Sequence, residues 1–319
     1  MKHPIDLGYG VMARYGPERL RVFPDGWGDT AYVDQLSDPA LMLGEPHQIT
    51  IDWESTYPLP DRMVRDGSFA AITDLPAGAA TARVRLIEPA GGVDRLCLLM
   101  AAWNDHGYHT RQLLSDELVG RGIASLILEI PYYGSRRLVG SDEQPIRTVA
   151  DFARMGLGAA IEGKALLHHF RDRYVMGVSG YSMGGNIGAM VGVAAGFPVA
   201  MAPLAASHSP GPVFLDGVIR HGIEWDALGG LDQRERLRSA LTAASVLAFP
   251  APAWSKSAVM VIGHSDGFIP KQAALALHNH WFGSELRWVR GGHATVLWRQ
   301  REVLADAIED SFSRLASSA

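Results

Sequence analysis

The sequence predicts an α/β protein with a mostly parallel central sheet covered by helices on both faces. Two observations carry that reading. Short apolar runs such as "RLCLLMAA", "IASLILEI" and "AVMVIGH" lack polar alternation, as strands buried on both faces do. Segments of helical periodicity stand between them, in the rhythm of strand–helix–strand units. A composition of 47% hydrophobic and 20% charged residues is that of a globular chain able to bury a large core.

The first 78 residues are rich in Pro, Gly and aromatic side chains and show little periodicity. They are expected to form an irregular extension, 1–78, packed on a main domain spanning 79–319. Within it, "HQITIDWES" and "MVRDGSFAAI" can form short strands. From Ala79, "TARVRLIEPA" alternates like a half-buried strand, and "RLCLLMAA" follows the turn signal "PAGGVD". "TRQLLSDELVGRG" reads as a helix stopped by glycine, and "IASLILEI" as a strand ended by Pro131. A long helix is expected from about Ile146 to Phe170. "YVMGVSG" is then a strand, followed by a Gly- and Ala-rich helix and the strand "VAMAPLAAS". Further on come the strand "AVMVIGH", the helix "PKQAALALHNHWF" and the strand "ELRWVRG". "TVLWRQREVLADAIEDSFSRLA" reads as one closing amphipathic helix.

Residues 208–255 interrupt this rhythm with "SHSPGPVFLDGVIRHGIEWDALGG" and a polar helix, "DQRERLRSALTAA". An insertion after a sheet strand lies where open α/β sheets bind ligands, so a lid over the site is expected there.

Bulk properties exclude several functions. A net charge of −5 and a pI near 6.2 offer no basic footprint for nucleic acid or an anionic membrane. The N-terminus has no continuous apolar segment behind its lysine, so no signal peptide is expected. The run from Gly184 to Ala206 approaches the roughly 20 residues of a membrane span, but it is mostly Gly and Ala and is divided by Pro198. A packed helix and a buried strand account for it, and a cytoplasmic protein without a transmembrane segment is expected. The lone Cys97 cannot form an internal disulfide and sits in an apolar strand, as a buried structural thiol does.

The chemistry centres on Gly180-Tyr181-Ser182-Met183-Gly184, a G-x-S-x-G with an apolar strand before it and a helical pattern after it. A nucleophile raised on a strand-to-helix turn needs a strained backbone and small neighbours. Gly180 and Gly184 leave room for the turn, and Gly185 lets the helix lie close to the sheet. An alcohol needs a base, and the base needs an orienting acid. Asp266 follows the strand "AVMVIGH" and His293 follows "ELRWVRG", so both are expected at the sheet edge that carries Ser182. Asp216 or Asp226 in the insertion could supply the acid instead. An oxyanion needs two N–H donors, expected from Met183 and from the loop after "RLCLLMAA", where Trp103 is the candidate beside Ala102 and Asn104. Asp105, His106 and His109 lie in that loop but have no companion cluster of metal-ligand spacing. No phosphate-binding or dinucleotide fingerprint occurs, and no cofactor is expected.

With "GYSMGG", "GHSDGFIP" and "RGGH" in this order, the chain resembles the α/β-hydrolase superfamily from about Ala79 to its C-terminus. It also resembles the subgroup that includes the α/β-hydrolase domain-containing-eighteen proteins. Asp66-Gly67-Ser68-Phe69, the pair Asp105-His106, and Pro131 to Gly134 ("PYYG") carry that likeness. It departs from the common pattern in showing "AAWN" where the oxyanion loop often carries His-Gly, although backbone donors need no particular side chain. The superfamily implies the α/β-hydrolase fold and hydrolysis of esters, thioesters, amides or lactones. The subgroup implies acyl-lipid or carboxylic ester substrates and makes the N-terminal extension part of the architecture. The expectation is therefore a serine hydrolase of carboxylic esters acting through Ser182, Asp266 and His293. An acyltransferase or serine peptidase on the same fold, or a silent binding protein, stands as the alternative. Phe214, Leu215 and Trp225 of the insertion, with "PYYG", could line an apolar acyl site or serve as ordinary core.

Overall fold

The computed structural model describes residues 2–15, 20–35, 40–138, 140 and 145–318. The N-terminal extension is more regular than its composition suggests. It holds helices α1 (Pro4–Tyr15), α2 (Thr30–Gln35) and α3 (Ala40–Leu43), and a hairpin of β1 (Asp52–Pro58) and β2 (Arg62–Ala70). These two strands carry many polar side chains and are only partly buried, so they give little hydrophobic periodicity to read.

The hairpin is not an appendage. β2 pairs along its whole length with β3 (Thr81–Pro89), so the extension adds two antiparallel strands to the main sheet. The sheet continues through β4 (Arg95–Met100), β5 (Ala124–Glu129), β6 (Val175–Tyr181), β7 (Ala200–Leu204), β8 (Val259–Gly263) and β9 (Glu285–Val289). Among the described residues the nine strands lie in the order β1-β2-β3-β5-β4-β6-β7-β8-β9. Neighbours from β5 to β9 are all parallel. Parallel pairing brings the C-terminal ends of these strands to one edge, where loops can converge on a ligand.

Helices cover both faces. α5 (Val149–Phe170) and α6 (Met183–Ala194) bury their apolar stripes on one face, the former opened by a reciprocal cap between Thr148 and Asp151. α4 (His109–Val119) and α12 (Arg301–Ala316) cover the other, through Leu114, Leu118, Leu304, Ile308 and Phe312. The segment 271–280 forms α10 beside β9. The expected single C-terminal helix is instead two, α11 (His293–Arg299) and α12. Gln300 leaves the helical region at φ −127°, ψ 33°, and its side chain donates to the Arg290 carbonyl at 2.5 Å.

Between β7 and β8 the insertion folds into α7 (Pro210–Asp216), α8 (Trp225–Leu228) and α9 (Arg234–Thr242), linked by short 3₁₀ turns. α7 sits at the sheet's C-terminal edge and α9 packs beside it. Among the described residues, no helix is long and apolar enough to cross a membrane.

Candidate active site

β6 ends and α6 begins at Ser182, whose backbone stands at φ 58°, ψ −117°. A non-glycine residue held in that region is strained, and the surrounding packing must hold it there. Three glycines allow that packing. A Cβ on Gly180 would come 2.5 Å from the Gly184 backbone, and one on Gly184 would lie 2.8 Å from the Met100 carbonyl carbon. A Cβ on Gly185 would come 2.8 Å from the Leu204 carbonyl oxygen. That same oxygen accepts the Ser182 N–H at 2.8 Å, so β7 anchors the turn. Ser182 is half-buried and faces a cavity at the sheet's C-terminal edge.

His293 is the first residue of α11 and is largely buried. Its Nδ1 lies 2.7 Å from Asp266 Oδ2. The other carboxylate oxygen of Asp266 accepts the N–H groups of Phe268 and Ile269, both at 2.8 Å. The Phe268 ring stacks on the imidazole, with centroids 4.6 Å apart. Tyr181 donates its hydroxyl to the His293 carbonyl at 2.5 Å. Complete burial raises the Tyr181 phenol well above its ordinary range, which keeps it a neutral donor. Asp216 and Asp226 are placed elsewhere. Asp216 is engaged by Arg234 and Arg238, and Asp226 is exposed on α8.

Trp103 and Met183 both line the cavity that Ser182 and His293 share. Met183 opens α6, so its N–H is one of the groups a helix leaves without an internal partner. In the β4–α4 loop the Asn104 N–H goes to the Tyr133 hydroxyl at 3.4 Å and the Asp105 N–H to the Ala102 carbonyl at 3.1 Å. Among the described residues the Trp103 N–H has no such partner. The Trp103 ring packs with Phe152 and Phe214, at centroid distances of 5.8 and 5.4 Å.

The "PYYG" tyrosines do not line the cavity. Tyr133 braces the loop through Asn104, and Tyr132 reaches Asp151 at 3.4 Å. Of the three insertion side chains considered from sequence, Phe214 lines the cavity, whereas Leu215 and Trp225 pack in the core. Asp105 is held by Arg111 at 2.9 Å, and Arg111 also donates to the Leu128 and Gly107 carbonyls. That pair fixes the loop and leaves the Asp105 carboxylate committed to a guanidinium. Asp66 is likewise paired with Arg85, through bonds of 2.7 and 2.8 Å. Among the described residues no three His, Cys, Asp or Glu side chains are grouped as metal ligands.

The cavity has a volume of about 420 Å³ and is walled mainly by apolar side chains. A second apolar cavity of about 110 Å³ runs between α5, α6 and α9. The two share Phe152, Met183, Asn186 and Pro210 in their walls, so they lie side by side.

Sequence reasoning missed the contribution of α1. Tyr9 lines the cavity and packs on Phe268 at 5.2 Å. Asp6 is fully buried and accepts the N–H of His293 at 2.8 Å, from 287 positions away along the chain. No local pattern in "MKHPIDLGYG" signals a contact across that separation.

The sequence pattern of the family described as alpha/beta hydrolase domain containing 18 matches residues 20–233 and 230–314. The chain belongs to that family. Solved structures of other proteins share its fold. The acetyl xylan esterase from Paenibacillus sp. R4 is 16% identical, with a TM-score of 0.57 over 89% of this chain and 97% of its own. Est1E from Butyrivibrio proteoclasticus, solved with ferulic acid bound, is 16% identical at a TM-score of 0.55, over 73% of this chain and 96% of its own. Acetyl xylan esterase 1 from Thermoanaerobacterium sp. JW/SL YS485 is 15% identical at a TM-score of 0.51, over 89% of this chain and 96% of its own. At these identities the likeness establishes the α/β-hydrolase fold. Within the domain containing 18 family, this member carries Ser182 on the strained turn and the His293–Asp266 pair under a single cavity.

Proposed function

We propose that this chain is a serine hydrolase that cleaves carboxylic esters through an acyl-enzyme. One observation carries the reading: a strained serine and an Asp-bonded histidine line the same cavity. In this mechanism Ser182 Oγ attacks the acyl carbon while its proton passes to His293 Nε2. Asp266 holds the proton on Nδ1 and so keeps Nε2 available as the base. The Met183 and Trp103 N–H groups receive the oxyanion. The tetrahedral intermediate collapses as the C–O bond to the leaving alcohol breaks, and His293 returns its proton to that oxygen. A water then gives a proton to His293, attacks the acyl carbon, and releases the carboxylic acid and the Ser182 hydroxyl.

The walls of the site favour an apolar acyl group. Phe152, Val213, Phe214, Phe268, Leu297 and Met183 line the cavity with Ser182, and a second apolar cavity adjoins it behind Met183 and Asn186. α7, in the insertion, would act as the roof of this site. Incubation with a fluorophosphonate probe and with nitrophenyl esters of increasing acyl length tests the reading. Labelling at Ser182 and turnover of the esters are expected. A folded sample that shows neither would sink it.

A further inference from the structure

Asp6 lies in the first turn of α1, yet its carboxylate serves other parts of the chain. Oδ2 accepts the N–H of Gly267 and the N–H of His293, each at 2.8 Å. Gly267 follows Asp266, so one oxygen ties together the two loops that carry the acid and the base. Oδ1 is buried and has no partner among the described residues. A carboxylate is removed from water here for two backbone bonds in the site, and among the described residues no ion pair compensates it.

Both loops leave room for this approach. A Cβ on Gly267 would lie 2.8 Å from the Asp6 Cβ, and one on Gly292 would lie 2.6 Å from Asp6 Oδ2. The glycines of "SDGF" and "RGGH" thus admit α1 as well as shaping their own turns. The His3 N–H adds a bond of 2.7 Å to the Ser265 carbonyl, just before Asp266. α1 lies before residue 20, where the family match begins.

We propose that Asp6 is a positioning residue of the active site: it locks the Asp266 and His293 loops in register, and α1 is part of the machinery rather than a cover. This rests on the hydrolase reading for its kinetic consequence, but its structural half can be read without any turnover. The two N–H groups fix where each loop begins its turn, and the Nδ1–Oδ2 geometry follows from that spacing. Without the shared acceptor, the ring would sample a wider range of positions within the cavity it shares with Ser182. A displacement near 1 Å at a reacting group costs on the order of 10²-fold in rate.

The test uses the full chain with Asp6→Ala and Asp6→Asn. Two quantities are followed: hydrogen exchange of peptides spanning residues 263–269 and 290–296, and the rate of fluorophosphonate labelling, with kcat and KM for a nitrophenyl ester. Asp6→Ala is expected to speed exchange in those two peptides and not in the rest of the sheet. Labelling and kcat should fall on the order of 10²-fold with KM little changed. Asp6→Asn keeps an oxygen that can accept both N–H groups, so it should retain protection and recover most of the rate. Should Asp6→Ala fail to fold, Asp6→Ser replaces it with the same readouts. Wild-type exchange in both peptides, or wild-type labelling, in the Ala or Ser variant would overturn the proposal. So would an Asn variant as slow as Ala with its loops fully protected, since the charge rather than the tether would then matter. A wild-type chain that is neither labelled nor active would defeat the hydrolase reading alone, and the exchange arm would still decide whether Asp6 holds the loops.

Discussion

His293 Nδ1 stands 2.7 Å from Asp266 Oδ2, and the carboxylate is already oriented before it meets the ring. Phe268 and Ile269 donate their N–H groups to its other oxygen, so the loop that presents Asp266 also sets its rotamer. Phe268 then covers one face of the imidazole. The acid is thus a fixed part of the turn, with one oxygen for the loop and one for the histidine.

Replacing that carboxylate separates its two duties. Asp266→Asn can still accept from Phe268 and Ile269, so a folded protein with near-native melting behaviour is expected. Its amide would favour the wrong tautomer of His293, and kcat for a nitrophenyl ester should fall by about 10⁴-fold. Ser182→Ala should lose about 10³- to 10⁶-fold, and the double variant little more, because the groups act as one unit. Steady-state kinetics with circular dichroism on each variant checks all three.

The turn itself is sensitive to a single methyl group. A Cβ at Gly184 would meet the Met100 carbonyl group and come 2.9 Å from the Ala101 carbonyl carbon, neither of which can swing aside as a side chain would. Gly184→Ala should therefore destabilise the fold by about 1–3 kcal/mol and depress turnover as the backbone shifts. Urea titration measures the first effect. A Gly156→Ala control, at a glycine with nothing within 4 Å of its Cβ, should show no loss of stability.

Burial of Cys97 in β4 pushes its thiol well above the ordinary range, because the thiolate would be desolvated without a counter-charge. Since the folded-state value is raised, the thiol stays protonated and inert through neutral and mildly alkaline pH. No reaction with an aromatic disulfide reagent is expected at pH 8, and one equivalent should react once denaturant unfolds the chain. Rapid labelling of the native protein at that pH would contradict the burial.

The parallel core was legible because fully buried strands such as β4 and β5 are written as unbroken apolar runs. Ser182 and Asp266 could be nominated because each follows such a run, and His293 because it follows the shorter, mixed strand β9; a parallel sheet gathers those ends at one edge. The hairpin β1–β2 was only partly legible, since its strands expose polar side chains and take their stability from pairing with β3. The break at Gln300 is tertiary: a side-chain bond to the Arg290 carbonyl competes with a helical pattern that continues through it. Asp6 was invisible because its partners are backbone N–H groups, which any sequence provides.

The two adjoining cavities bear on acyl-chain length, and Gly156 offers a direct test. It lies within α5 and lines the deeper cavity, where a Cβ would meet nothing within 4 Å. A larger side chain there can enter the apolar space without striking backbone. Because glycine in a helix interior is disfavoured by about 0.8–1.0 kcal/mol relative to alanine, Gly156→Phe should leave stability unchanged or slightly raised. Ester turnover should then divide by chain length. Acetyl and butyryl esters need only the cavity beside Ser182 and should be hydrolysed at the wild-type rate. On the reading that longer acyl chains extend past Met183 and Asn186 into the space beside Gly156, they should show a raised KM and a kcat/KM lower by about tenfold, near the low end of what a pocket contact contributes to discrimination. Equal loss across all chain lengths would point to disturbance of the turn at Ser182. No loss at any length would mean that the deeper cavity does not hold the acyl group. The chain-length profile, with melting temperatures of both proteins, separates these outcomes.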